Sequence, residues 1–98
     1  MRKSDIELYL TKKVQVNYVS TGGDVLEAIV NSVVNFKYDK QTKNLSIYLR
    51  DTVGKRTKNR LFKELKHVGI TGGHNLHELA TEWYTNHLDE LRIFAEGR

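Results

Sequence analysis

Six basic residues, Lys55, Arg56, Lys58, Arg60, Lys63 and Lys66, fall within the segment GKRTKNRLFKELKH. Their chemistry is that of phosphate contact. Ammonium and guanidinium groups neutralise backbone phosphates and release condensed counterions, so binding through them weakens steeply with salt. Such contacts position a DNA or RNA partner without reading its sequence. Tyr48 and Arg50, just upstream, are residue types that can stack on bases. The charge is unevenly spread: residues 55–67 carry six basic residues and one acid, residues 1–54 eight and six, and residues 68–98 two and five, for a net charge of +4. The same pattern has a second reading, in which a solvated basic helix face pairs with the acidic C-terminal segment.

Other chemistries have less to work with. The four histidines, His67, His74, His77 and His87, all lie between 67 and 87. His74 and His77 straddle a predicted helix start and are close enough to converge. His87 lies about 15 Å further along that helix at ~1.5 Å per residue, too far to share one ion with His77. A metal centre needs three or four converging ligands with outer support, and His87 on an apolar stripe reads as a core or edge histidine. No metal or cofactor is therefore expected. The absence of cysteine excludes disulfides, iron–sulfur clusters, thiol catalysis and thiolate zinc sites. No serine stands in a nucleophile-elbow pattern. The pairs Glu78/Glu82 and Asp89/Glu90 fall on the wet face of an amphipathic helix, so no catalytic residue is assigned and no enzyme is expected. Gly22-Gly23 lacks the longer glycine pattern and the Lys-Ser/Thr of a phosphate loop.

The elements that must position the basic segment are organised around Val25–Leu49, the densest β-branched run in the chain. Before it, Ser4-Asp5-Ile6-Glu7 has the form of a capping box and predicts a short helix over 5–11. The segment KVQVNYV, Lys13–Val19, alternates as a half-buried strand and stops at the turn cluster Ser20–Asp24. From 25 to 38 the even positions are the more apolar, which predicts extended chain. A helix over 25–34, capped by Asp24, is the competing reading, and β-branched content and Asn31-Ser32 argue against it. Fourteen extended residues would span about 46 Å at ~3.3 Å each, too long for a small domain. The run must therefore bend, bulge or split near Asn31-Ser32. The polar turn 39–44 then predicts a hairpin pairing 34–38 with 45–50.

Beyond it, Leu61, Leu65 and Val68 fit one stripe of a helix over 57–68, with Thr57 as cap and Gly69 in the left-handed position after it. A last helix, capped by Asn75 with Glu78 three residues on, is predicted to run to about Ala95. Leu76, Ala80, Trp83, His87, Leu91 and Phe94 form its buried face, with Leu79, Tyr84 and Leu88 at the margins and Trp83 as the largest anchor. A helix-turn-helix built from these two helices is disfavoured. Its connection is long, and Glu78, Glu82, Asp89 and Glu90 on the second helix would be repelled by a DNA major groove.

At 98 residues the chain is read as a single domain, 1–98, mainly β over 1–54 and two helices over 55–98. The class is α+β: a curved antiparallel sheet of three to five strands, a short N-terminal helix, and two C-terminal helices, the last packed on the sheet. The order of elements over residues 4–50 resembles that of Sm-like and other SH3-like small barrels, which commonly bind RNA or partner proteins. The resemblance rests on order, implies a small barrel, and carries over no binding residue. No apolar run approaches the roughly 18 residues of a membrane span. Asp5 and Glu7 interrupt any signal core, so a cytoplasmic protein is expected. The leading functional expectation is a small basic nucleic-acid-binding accessory or regulatory protein. The alternative is a non-enzymatic protein-interaction module or inhibitor, self-associating through an exposed strand edge or binding through Trp83 and Tyr84.

Overall fold

In this computed structural model, residues 10–20, 23–53 and 56–97 are described. Five strands, β1 (Val16–Ser20), β2 (Val25–Val30), β3 (Val34–Asp39), β4 (Asn44–Val53) and β5 (Arg56–Leu65), form one antiparallel meander in chain order. Two helices follow, α1 (Gly73–Asn86) and α2 (Leu88–Gly97). The class is α+β, as expected. The sheet is open: among the described residues β1 and β5 do not pair, so the SH3/Sm-like barrel is not formed. The predicted N-terminal helix lies mostly outside the described residues, and Leu10 and Thr11, its described end, are not helical.

The long β-branched run splits where its length demands. Val30 pairs with Val34, Asn31 and Ser32 take φ of 50° and 62°, and the Val33 N–H donates to the Val30 carbonyl at 3.1 Å. Positive φ at both central residues is the primed turn whose twist matches that of the flanking strands. The Asn31 side chain secures it. Its Oδ1 accepts from the Gln15 N–H at 2.8 Å, and its amide donates to the Lys13 carbonyl at 2.9 Å and the Tyr84 hydroxyl at 3.1 Å. The next hairpin has the predicted register, Val34 to Asp39 against Leu49 to Asn44.

The segment predicted as a helix over 57–68 is instead the edge strand β5, and this is the main correction. In the helical reading Leu61 and Leu65 share a buried stripe and Phe62 sits at its edge. In the structure Leu61 is 52% exposed. Phe62 packs against the core, edge-to-face with Trp83 at 5.8 Å and Phe94 at 5.0 Å. A register irregularity between Ile47 and Tyr48 lets Phe62 and Leu65 both reach the core; an extra residue in one strand does this by breaking the period of two. That irregularity hid the alternation in the sequence. With no helix before it, Gly69 has no left-handed cap to fill, and His67 carries a positive φ of 60°.

One face of the sheet is buried, by Leu26, Ala28, Val30, Val34, Phe36, Tyr38, Leu45, Ile47 and Leu49. Leu76, Ala80, Tyr84, Leu88, Leu91 and Ala95 of the helices supply the opposing layer. The helical stripe is thus rotated from the predicted one. Tyr84 is fully buried, while Trp83, His87 and Phe94 are half-buried at the flank. Tyr84 can go inside because its hydroxyl donates to the Thr11 carbonyl at 3.0 Å and accepts from Asn31, so ring burial leaves no orphaned polar atom. The predicted last helix is divided at His87, whose φ of −119° and ψ of 17° interrupt it. Asn75 is not its cap: α1 begins at Gly73, and Asn75 Oδ1 accepts from the Thr71 N–H at 3.1 Å. Among the described residues no helix is long and apolar enough to cross a membrane.

Candidate nucleic-acid interface

The sheet ends unevenly. β3 accompanies β4 only as far as Val34 opposite Leu49, with one further bond from the Arg50 N–H to the Val33 carbonyl at 2.7 Å. β4 and β5 continue pairing to Val53 opposite Arg56. Asp51–Val53 and Arg56–Lys58 therefore form a two-stranded ribbon beyond the sheet. Its three residue pairs extend it by about 10 Å at ~3.4 Å per residue. Gly54 and Lys55 lie outside the described residues.

Of the six basic residues predicted as the site, Lys55 lies outside the described residues and the other five do not converge. Arg56 and Lys58 are exposed on the ribbon, two residues apart and so on one face of it. Arg60 continues that face at the ribbon's base and is half-buried. Its guanidinium lies 4.4 Å from the centre of the Phe94 ring and donates to the Phe94 carbonyl, so it ties β5 to α2. Its Nε is buried without a hydrogen-bond partner. Lys63 is exposed in register with Ile47, and Lys66 is exposed beyond the end of β5. Extended chain separates Lys66 from Arg56 by about 33 Å at ~3.3 Å per residue, where a helix would hold them within about 15 Å. Among the described residues none of these cations pairs with Glu82, Asp89 or Glu90. The ion pairs found there are Lys37–Glu27 at 3.7 Å, His74–Glu78 at 3.1 Å and Arg92–Asp89 at 3.9 Å.

Two basic residues that the sequence pattern did not single out join the ribbon end. Lys12 and Lys13 are exposed in a segment drawn across the end of the sheet. Arg92 donates twice to the Leu10 carbonyl, at 3.1 and 2.9 Å, Tyr84 donates to Thr11, and Asn31 to Lys13. Arg50 joins the same turn, donating through Nη1 to the Ser32 carbonyl at 3.1 Å. Lys12, Lys13, Arg50, Arg56, Lys58 and Arg60 thus share one end of the sheet. Nothing local in the sequence marks this, because the link from Lys13 to Asn31 spans 18 residues. The opposite end mixes Asp24, Asp39 and Glu64 with Lys40, Lys43 and Lys66. There Gln41 bonds the Asp24 carboxylate at 2.8 Å, and the Val68 N–H reaches the Lys43 carbonyl at 2.9 Å.

Tyr48 lies on the sheet face away from the helices, in register between Asn35 and Leu61, half-buried and with the Lys37 ammonium 5.9 Å from its ring centre. Asn59 stands opposite Arg50 on that same face of the ribbon's base. No three histidine or carboxylate side chains among the described residues gather as a metal site. His87 stacks on Trp83 at 3.9 Å between ring centres. Comparison with family models, with curated proteins and with solved structures finds no match to this chain.

Proposed function

We propose that this is a small non-enzymatic nucleic-acid-binding protein, accessory or regulatory in role and cytoplasmic. It grips the phosphate backbone with the basic end of its sheet. The observation that carries this reading is the ribbon itself. Arg56 and Lys58 are exposed on a projection that stands clear of the sheet, and neither has a carboxylate partner among the described residues. Lys12, Lys13 and Arg50 lie toward the same end of the sheet, Lys12 in a cleft shared with Asp89 and Arg50 bonded to the Ser32 carbonyl. Neutralising four phosphates gives a log–log salt slope of about −3.6, or roughly a hundredfold loss of affinity between 50 and 200 mM salt. Fluorescence-anisotropy titrations of labelled single- and double-stranded DNA and RNA at those two salt concentrations test it. The expected result is binding at low salt with that slope, lost in Arg56→Glu/Lys58→Glu. No binding of any oligonucleotide at low salt removes the proposal.

A protein-interaction role is the second reading, favoured by the outer edge of β5, unpaired among the described residues, and by Leu61, which is 52% exposed beside it. Such an edge can add a strand from another chain, although basic side chains along an edge also resist that addition. Sedimentation equilibrium separates the cases: a concentration-dependent dimer lost in Leu61→Lys favours self-association, and a monomer up to high concentration removes it.

A further inference from the structure

We infer that the outer edge of β5 is a docking site for an extended acidic segment of a partner protein, which adds to the sheet as a further strand. The inference rests on the protein-interaction reading above and is separate from the phosphate contact, although Arg56 and Lys58 serve in both. The two edges of the sheet differ as templates. β1 is five residues long, and its register with β2 shifts between Val16 and Tyr18. Short and irregular edges resist pairing. β5 keeps unbroken register with β4 from Arg56 opposite Val53 to Leu61 opposite Tyr48. That stretch spans about 20 Å at ~3.3 Å per residue, the length of an ordinary strand. Among the described residues nothing pairs with its outer edge.

Charge decides the occupant. β5 carries four basic residues and one acid, Glu64. A second copy paired antiparallel on this edge would set that excess against itself, and like charges directly opposite each other destabilise a strand pair. The cations that keep out a second copy favour an acidic strand. Directly opposite residues of paired strands lie on one face, so the edge specifies its partner position by position. Arg56 and Lys58 are exposed on the helix side of the sheet; Leu61 is exposed on the other face, beside Tyr48. Every strand pair in this sheet is antiparallel. A partner added in the same sense carries an apolar residue opposite Leu61, then acidic residues three and five positions later, opposite Lys58 and Arg56. Arg60 is engaged with the Phe94 ring and carbonyl and makes no demand on the partner. Nucleic acid has no row of N–H and C=O groups to continue the ladder and no apolar side chain to cover Leu61.

The test uses the full chain and fluorescence anisotropy of short labelled peptides. The first has a leucine followed three and five residues later by glutamate. The second has lysine in place of both glutamates, and the third has the residues of the first in scrambled order. Two more are the first peptide with N-methyl groups on one or the other alternate set of backbone amides. The expected result is binding of the first peptide at low salt, with the lysine peptide at least about tenfold weaker because two attractions become repulsions. Only one N-methylated peptide should lose binding, since only alternate amides of an added strand face its neighbour. Arg56→Glu/Lys58→Glu, verified as folded by circular dichroism, should exchange the preference and bind the lysine peptide. Equal binding of the first, the scrambled and both N-methylated peptides overturns the inference; the attraction is then one of charge alone, and the phosphate reading stands. Lysine and glutamate peptides bound equally by the parent, with one N-methylated peptide lost, overturn the acidic partner and leave the protein-interaction reading standing. No binding of any peptide at low salt overturns both.

Discussion

Tyr84 and Asn31 link three separate parts of the chain. The Tyr84 hydroxyl, inside the core, joins Thr11 of the N-terminal segment to Asn31 of the β2–β3 turn, and Asn31 in turn bonds Gln15 and Lys13. Tyr84→Phe keeps the ring and leaves the Thr11 carbonyl and one Asn31 N–H short of a partner. Both bonds are only part-buried, so the loss should be about 1 kcal/mol, the ordinary net worth of one hydrogen bond, read as a lower urea midpoint. The same residue sets an alkaline limit. Burial pushes the Tyr84 phenol above its ordinary value of 10.0, against smaller opposing effects of the Asn31 and Thr11 bonds and the Arg92 charge. An unfolded tyrosine ionises near pH 10 and the buried one later, so the unfolded chain releases its proton first. The contribution is therefore complete below about pH 10 and is lost as pH rises through the folded value. Tyr84→Phe should be less stable than the parent at pH 7 but decline less between pH 9.5 and 11.5, as read by urea melts. At Ser32 the cost is in the backbone: a φ of 62° suits glycine, and Asn-Gly is the preferred pair for this turn.

At the scale of elements, β5 carries the sharpest contrast between alternatives. A helix over 57–68 makes Leu61 a core residue and Phe62 marginal; the strand reverses them. Phe62→Ala should cost about 2–3 kcal/mol, below the usual range for a fully buried phenylalanine because Phe62 is only half-buried. Leu61→Ala should cost under about 0.5 kcal/mol, as expected of an exposed position. Equal losses at the two sites would contradict the strand. The comparison also shows what the sequence could disclose. Strands β2, β3 and β4 were legible because their alternation is unbroken and because fourteen residues could not continue straight, which located the split at Asn31-Ser32. β5 was not, because its irregularity places Phe62 and Leu65 on one face and so imitates a helical spacing of three. The helical stripe was legible to within one position. It left Tyr84 at the margin because a tyrosine is fully buried only where its hydroxyl finds partners, and those partners, Thr11 and Asn31, are distant in sequence. The basic segment was recognised as chemistry, but its geometry followed from the wrong element. Lys12 and Lys13 join Arg56 and Lys58 only through the tertiary link at Asn31.

For the whole molecule, the question is whether a modest net charge of +4 attracts a polyanion or whether the placement of charge does. Charges beyond a Debye length, about 8–10 Å at physiological salt, are largely screened from one another. The extended strands put Lys43 and Lys66 far from the ribbon, at the end where Asp24, Asp39 and Glu64 also lie. Two double reversals therefore make a charge-matched pair. Arg56→Glu/Lys58→Glu and Lys43→Glu/Lys66→Glu each lower the net charge by four units and leave the core untouched, since all four residues are exposed. If net charge governed association, both variants would lose affinity equally. If the ribbon end is the contact, the first should lose about a hundredfold or more at 100 mM salt, and the second less than about threefold, with the salt slope reduced only in the first. Lys66 gives the comparison its force. A basic helix would have placed it beside Arg60 and Lys63 on one phosphate-contacting face, so a large loss from its reversal would restore the helical arrangement of the site. A small loss ties binding to the ribbon through the one feature that distinguishes the two arrangements, the direction in which residues 56–65 extend.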